Sequence, residues 1–365
     1  MNGVTASDKS PTAASEAPSP SWMAEWQPVV ERVGSLLDEP DLRFGPDPVE
    51  LGAIRRWLEP LEFDCALHRD PEVARAHGWP DVIAPYTAVW AFLMPPVWQP
   101  GDPPTYGDAA RNTQPAQSSI ADDVIPGAPP TSAVFGTGIS MEFVRPLVVG
   151  ERVAVGPRRL VACVPKQTRV GRGAFVTFDR EFFADGVERI GWAQAQIYLY
   201  NPYGGDVGNQ ADGTPSGEQR REGPDGPRPL ADVSGSGEQL AGATYPLPVH
   251  RLIVAAGATR DFSAIHHNDE VARERGAPAM YANAGLLLGM WERVLRDYIG
   301  PAGRILAIRD FRMVRFSPVG SVARVEGRVV DRMERDGLDV AVVELRTLVG
   351  DTVTVGPGRA EVTLG

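Results

Sequence analysis

The chain has almost no lysine, two cysteines, no long apolar run and no excess of positive charge, and each scarcity removes a class of function. Its 36 basic residues against 47 acidic ones leave a net charge of −11, which opposes general attraction to nucleic acid or anionic lipid. Lysine occurs only at Lys9 and Lys166, so the remaining positive charge is nearly all arginine. Arginine suits forked contacts with phosphate, although a compositional bias explains it equally well. No stretch approaches the roughly 18 apolar residues of a membrane span, so no membrane role is expected. The opening residues, rich in Ser, Ala and Pro, lack the continuous apolar core of a secretory signal and read as a disordered tail. The expected compartment is the cytoplasm, where Cys65 and Cys163 stay reduced and carry no role.

What is present is the composition of a globular protein, 43% hydrophobic and 23% charged, in 365 residues that make about two domains. A repeat says the same. Ala66-Leu-His-Arg-Asp-Pro-Glu-Val-Ala-Arg-Ala-His-Gly-Trp-Pro80 matches Ala264-Ile-His-His-Asn-Asp-Glu-Val-Ala-Arg-Glu-Arg-Gly-Ala-Pro278 at eight of fifteen positions without a gap. Residues 1–24 read as the tail, 25–200 as a first domain, 201–240 as a flexible linker dense in Gly, Pro, Asp, Glu and Ser, and 241–365 as a second domain. An irregular stretch from Pro100 to Pro130 interrupts the first domain and reads as a lid or access loop, or as plain disorder.

Each repeat copy carries explicit helix signals: Asp70 and Asn268 as N-caps, Pro71 at the first helical position, and Gly78 and Gly276 as stops. The segment Ala284–Gly300 reads as a long helix whose first turns are apolar on every side and therefore buried. Arg304–Val314, Ser321–Asp331 and Leu338–Leu348 read as strands after it. The first domain repeats the plan, with Tyr86–Met94 as helix and Phe135–Val144, Arg152–Val164, Ala174–Ala184 and Arg189–Tyr200 as strands. One long helix followed by an antiparallel meander is an α+β arrangement.

Only the second copy holds a complete acid/base pair. Asp261 precedes His266 by five residues, whereas Phe63 stands at that distance before His68. Five helical steps of about 100° leave two residues on different faces, so a bend at Ser263 and Ala264 must bring the pair together. A carboxylate and an imidazole around one water can take a proton and return one, as addition of water across an activated double bond requires. His267 is expected to point elsewhere, and His68 to have no direct role. A metal held by Asp261, His266 and Asp269 is compatible with the residue types, but no recognised Cys/His spacing supports it, and none is expected. Ser263 lacks the G-x-S-x-G elbow of a nucleophile. Gly136-Thr-Gly138 and Gly171-Arg-Gly173 lack the third glycine of a dinucleotide site. Arg309, Arg312 and Arg315, on one predicted strand, could reach phosphates or be ordinary surface residues.

Asp261-Phe-Ser-Ala-Ile-His266, with Ala272 six residues on, resembles the D-x-N-P-[LIV]-H-x5-[AS] signature of the (R)-specific enoyl-CoA hydratases, the MaoC-like family of hotdog-fold enzymes. Ser263 and Ala264 replace the Asn and Pro of that signature. The resemblance covers most of residues 245–365; the first domain resembles the paired dehydratase-like domain through His68, Ala74 and Ile83-Ala-Pro85. It implies a double hotdog, each long helix wrapped by its own sheet, with Asp261 and His266 activating water for hydration or for the reverse syn dehydration of a 3-hydroxyacyl thioester. The family's His-Gly pair at the helix mouth, which supplies an N–H to the thioester oxygen, falls on Asn283 and Ala284. Ser263 is expected at the thioester or the turn.

Asp-Phe-Ser-x-Ile-His-His, Asn283 and Met290-Trp-Glu-Arg293 look most like the dehydratases of bacterial steroid side-chain degradation, in which a degenerate hotdog receives a bulky acyl group. The expected substrate is therefore a bulky acyl-CoA, with no cofactor beyond that CoA. A homo-oligomer is expected, with a heteromeric partner from the same pathway as the alternative. Two other readings stand: a thioesterase on the same fold, and a non-catalytic acyl-CoA-binding subunit.

Overall fold

A computed structural model of the chain describes residues 20–114, 124–203 and 237–364. The parts of the expected tail and linker at 1–19 and 204–236, and the middle of the 100–130 stretch at 115–123, lie outside the described residues. At the edges of those regions the chain is ordered: Ser21–Ala24 forms a helical turn, Pro202 still belongs to a strand, and Leu240 donates from its N–H to the Gly327 carbonyl.

The described strands are β1 Arg43–Phe44, β2 Ala133–Phe143, β3 Val153–Val155, β4 Arg159–Gln167, β5 Gly171–Ala184 and β6 Glu188–Pro202 in the first half. The second half adds β7 Ala243–Pro246, β8 Ile305–Arg312, β9 Val322–Arg335, β10 Leu338–Val349 and β11 Thr352–Thr363. They form one antiparallel sheet in the order β1-β3-β5-β6-β2-β8-β11-β10-β9-β7, with β4 pairing β5 beside that path. The two halves join at β2 and β8, where Gly138 faces Arg312 and Met141 faces Ile308. The fold is thus α+β, two antiparallel sheets fused edge to edge.

In the second half the sheet wraps the central helix Ala284–Ile299, whose Leu286 to Trp291 stretch is buried without a break, as its all-round apolar sequence requires. Trp291 is fully buried and donates its indole N–H to Thr347 Oγ1 at 2.8 Å. The last strand, β11, was not expected, because Gly356-Pro357-Gly358 breaks its periodicity. Those small residues answer a close approach: a Cβ on Gly358 would lie 2.6 Å from the Arg309 carbonyl oxygen.

The first half departs from the expected plan at its own central helix. Tyr86–Leu93 is a short 3-10 segment, not a long helix, and Met94 is already extended (ψ 129°). Pro95 and Pro96 explain the stop, since a residue before proline is pushed out of the helical region and proline offers no N–H to continue it. The expected Arg152–Val164 strand is likewise two strands, β3 and β4, split at Gly156-Pro157. Cys65 and Cys163 are both buried free thiols.

Beneath these differences the backbone is duplicated over a wider span than the sequence repeat. The helix Val249–Thr259 has its counterpart in Leu51–Leu58 and the turn Glu59–Leu61, neither pair being marked by the sequence reading. Both run into a left-handed residue, Glu62 (φ 51°) and Arg260 (φ 60°). Short 3-10 turns follow at Ala66–His68 and Ala264–His266. Asp70 and Asn268 then cap the next helices through N–H groups of Glu72, Val73 and of Glu270, Val271. Gly78 (φ 84°) and Gly276 (φ 86°) end them in the left-handed region that favours glycine.

Candidate active site

The carboxylate and imidazole singled out from the sequence meet. Asp261 Oδ2 lies 3.2 Å from His266 Nε2, with 14% and 7% of the two side chains exposed. The chain turns at left-handed Arg260 and again at the 3-10 turn Ala264–His266, which is the bend that a five-residue spacing demands. The Ser263 N–H donates to Asp261 Oδ1 at 3.3 Å, closing the loop on its own carboxylate.

The imidazole is fixed from its other side. His266 Nδ1 is 2.9 Å from the Tyr281 carbonyl oxygen, which can only accept, so Nδ1 carries a proton. Nε2 of a neutral ring would then be a lone pair facing carboxylate oxygen. The 3.2 Å contact therefore requires one shared proton, on the imidazole as an ion pair or on the carboxyl as a neutral pair. Burial drives the Asp261 carboxyl upward, but the His266 charge, its hydrogen bond and the Ser263 N–H outweigh this and hold it below its ordinary value. Burial likewise pushes the His266 imidazole down, and the Asp261 charge, its hydrogen bond and the Tyr281 carbonyl outweigh it and raise it. Both directions favour the ion pair.

Asn283 caps the central helix, accepting from the Leu286 N–H at 2.8 Å and donating to Thr259 Oγ1 at 2.7 Å. Thr259 Oγ1 also donates to the Ala255 carbonyl and accepts, at 3.4 Å, from the Asp261 N–H. One hydroxyl thus ties the helix before the dyad, the dyad loop and the central helix mouth together. Sequence reasoning missed Thr259, whose only signal is its place two residues before Asp261. Ala284 and Gly285 are the first residues of the central helix, where N–H groups have no partner within the helix, and both are partly exposed.

Two cavities are lined by segments next to the dyad. One of about 510 Å³ is lined by Phe262, Ser263, Ala264 and Ile265 of the dyad loop, and by Gln114, Val124 and Ile125 of the 100–130 stretch. That stretch is also tied to the second half: Asn268 donates to Asn112 Oδ1 at 2.8 Å, and Asn112 donates to Glu270. The other cavity, about 390 Å³, runs between the two halves and reaches Tyr281, Ala282 and Leu287 at the helix mouth. Asp261 and His266 line neither cavity; their chain neighbours 262–265 line the first, and Tyr281, whose carbonyl holds His266, lines the second. Tyr281, also missed from sequence, packs edge-on to the His266 ring with centroids 5.1 Å apart.

Other candidates are placed elsewhere. His267 is exposed with Nε2 3.2 Å from the Phe262 carbonyl. Asp269 accepts from the Met280 N–H at 2.9 Å and pairs with Arg273, away from the dyad. Arg309 is bound by Glu142 and Glu361. His68 keeps the same backbone cradle, with Nδ1 2.8 Å from the Ile83 carbonyl, but Phe63 lies edge-on to its ring and Nε2 is buried without a partner. Burial, the main cause, lowers its pKa to about 3.

Residues 43–188 match the FAS1-like, dehydratase domain region. A protein of Thermomonospora curvata named "Probable enoyl-CoA hydratase alpha subunit" is 30% identical over 172 residues, which are 47% of this chain and 50% of that one. The chain therefore spans about half the length of that relative. A solved MaoC-like dehydratase superposes over 92% of this chain and 99% of its own, with a TM-score of 0.64 and 17% identity. A Mycobacterium tuberculosis protein described as having a double hotdog fold superposes over 91% of this chain and 96% of its own, with a TM-score of 0.57 and 13% identity. The chain thus has a double hotdog fold and resembles the MaoC-like dehydratases, its first half through the FAS1-like dehydratase region.

Proposed function

We propose that the chain is an (R)-type enoyl-CoA hydratase, or 3-hydroxyacyl-CoA dehydratase in the reverse direction, with one active site per chain in the second half. The observation that carries this reading is the 3.2 Å contact of Asp261 Oδ2 with His266 Nε2, with Nδ1 of the imidazole 2.9 Å from the Tyr281 carbonyl, from which one shared proton follows. A water held by the pair gives up one proton to it as the water oxygen adds at the β-carbon of the enoyl thioester, leaving a hydroxyl group bonded there. The pair returns a proton to the α-carbon, so the site ends as it began. The developing enolate oxygen would be met by the unpaired N–H groups at the mouth of the central helix, Ala284 first, positioned by the Asn283 cap. Ser263 would border the thioester from the larger cavity. No step asks for a metal or for a cofactor beyond the CoA of the substrate.

The cavity of about 510 Å³ beside the dyad loop supports an acyl group larger than crotonyl, and a steroid side-chain intermediate is the specific candidate. A substrate panel followed at the enoyl thioester absorbance, with parent, Asp261→Asn and His266→Ala, tests the reading: turnover in the parent and its loss in both folded variants is expected. Release of free thiol without change at the double bond would instead make the protein a thioesterase. Binding of acyl-CoA with no turnover would make it a non-catalytic subunit, a reading favoured by the "alpha subunit" in the relative's name.

A further inference from the structure

The two cavities differ in charge where they meet solvent. The smaller is walled by aromatic rings, among them Phe135, Phe175 and Phe316, and has Arg169, Arg312 and Arg315 exposed on its lining. No acidic residue lines it, in a chain where acidic residues outnumber basic ones by 47 to 36. Arg312 has one long contact, 3.3 Å to half-exposed Asp310. Arg169 and Arg315 have no carboxylate partner among the described residues, whereas nearby Arg309 is held by two. The larger cavity has a single cation, Arg275, above an apolar floor that includes Ile125, Leu199 and Phe262.

We propose that the smaller cavity receives the coenzyme arm of a free acyl-CoA, with its nucleotide phosphates on Arg169, Arg312 and Arg315, and that the larger cavity takes the acyl group. This rests on the thioester reading above and decides its form. Three guanidinium groups gathered with one carboxylate, Asp310, among them repel one another unless anions meet them, and their fork matches phosphate oxygens. Free CoA brings a diphosphate and a 3′-phosphate to the mouth. A carrier-protein arm brings one phosphodiester, leaving cations unmet. The Tyr281 hydroxyl, which no described residue bonds, lines the same cavity and is a ready donor to an oxygen of the arm.

Two measurements test the assignment. In calorimetric titration with CoA itself, Arg169→Ala/Arg315→Ala should weaken binding about tenfold, corresponding to roughly 1.4 kcal/mol, and Arg169→Lys/Arg315→Lys should restore part of it. In turnover, the Ala variant should raise KM for the CoA thioester by a similar factor and leave KM for the N-acetylcysteamine thioester of the same acyl group unchanged. Equal effects on both thioesters, or CoA binding unchanged by the substitutions, would overturn the proposal. Arginine-dependent CoA binding without turnover of either thioester would uphold this site while removing the hydratase reading.

Discussion

His68 and His266 occupy the same backbone cradle in the two halves, each on a 3-10 turn and each with Nδ1 on the carbonyl of the residue fifteen positions later. The duplicated backbone fixes the tautomer in both. The residue five positions earlier decides the rest. With Asp261 beside it, His266 is raised and shares a proton; with Phe63 beside it, His68 is a neutral ring whose Nε2 is orphaned. The two cradles differ by one side chain added to a scaffold that both halves retained.

The same offset compares the central helices. Glu292 falls opposite Met94 and is fully buried, accepting from the Tyr86 N–H at 2.7 Å, the Thr87 N–H at 2.8 Å and Thr87 Oγ1 at 2.7 Å. The long helix of one half therefore supplies the N-terminal acceptor for the truncated helix of the other. Burial is the main influence on that carboxyl and raises its pKa despite those donors.

The largest test of the contrast is catalytic. Asp261→Asn and His266→Ala should each lower kcat by about 10²- to 10⁴-fold, while His68→Asn should leave kcat within about twofold. Comparable losses at His68 would break the distinction. The acid-base profile sharpens it: activity should fall at high pH as His266 loses the shared proton above its ordinary 6.5, and at low pH as Asp261 is protonated below its ordinary 3.8. Removing the carboxylate charge in Asp261→Asn should move the alkaline limb of any residual activity downward.

Next in size is the junction between halves. Glu292→Gln places an amide N–H₂ where donors converge, and should cost about 2 kcal/mol in urea unfolding, against less than about 1 kcal/mol for Met94→Leu.

The two histidines should then show opposite pH linkage. His68 stays neutral in the fold to about 3, whereas unfolded it takes a proton from 6.5 downward. Stability should therefore fall with acid by up to about 1.4 kcal/mol per pH unit between those values, and His68→Asn should remove that part of the slope. His266 is raised, so its contribution is present below 6.5 and is lost as pH rises through its folded value. Asp261 is lowered, so its contribution is present above 3.8 and is lost as pH falls through its folded value.

Smallest is Tyr281→Phe, which keeps the carbonyl that orients His266. It should change kcat by less than about threefold and leave the pH profile in place; a displaced alkaline limb would show that the phenol acts on the dyad.

Much of the site was legible because short-range rules wrote it. The N-caps at Asp70 and Asn268, the glycine stops and the bend between Asp261 and His266 depend on neighbours in the chain. Thr259 and Tyr281 were not legible: one acts through a hydroxyl shared by three segments, the other through a carbonyl fifteen residues away in sequence. The first half's helix was placed within one residue, at Tyr86–Met94, but its 3-10 geometry was not legible, because an apolar run marks burial rather than the hydrogen-bond pattern.

From its sequence alone, the protein had its duplication, its α+β plan and the residues of the proposed acid/base pair, since periodicity, capping and spacing are local physics. Only tertiary structure decided that Asp261 and His266 share one proton, because the carbonyl that fixes the tautomer belongs to a distant segment. It also decided which arginines lack acidic partners, because charge neutralisation across a sheet depends on strand register. Register is set by packing of the whole fold.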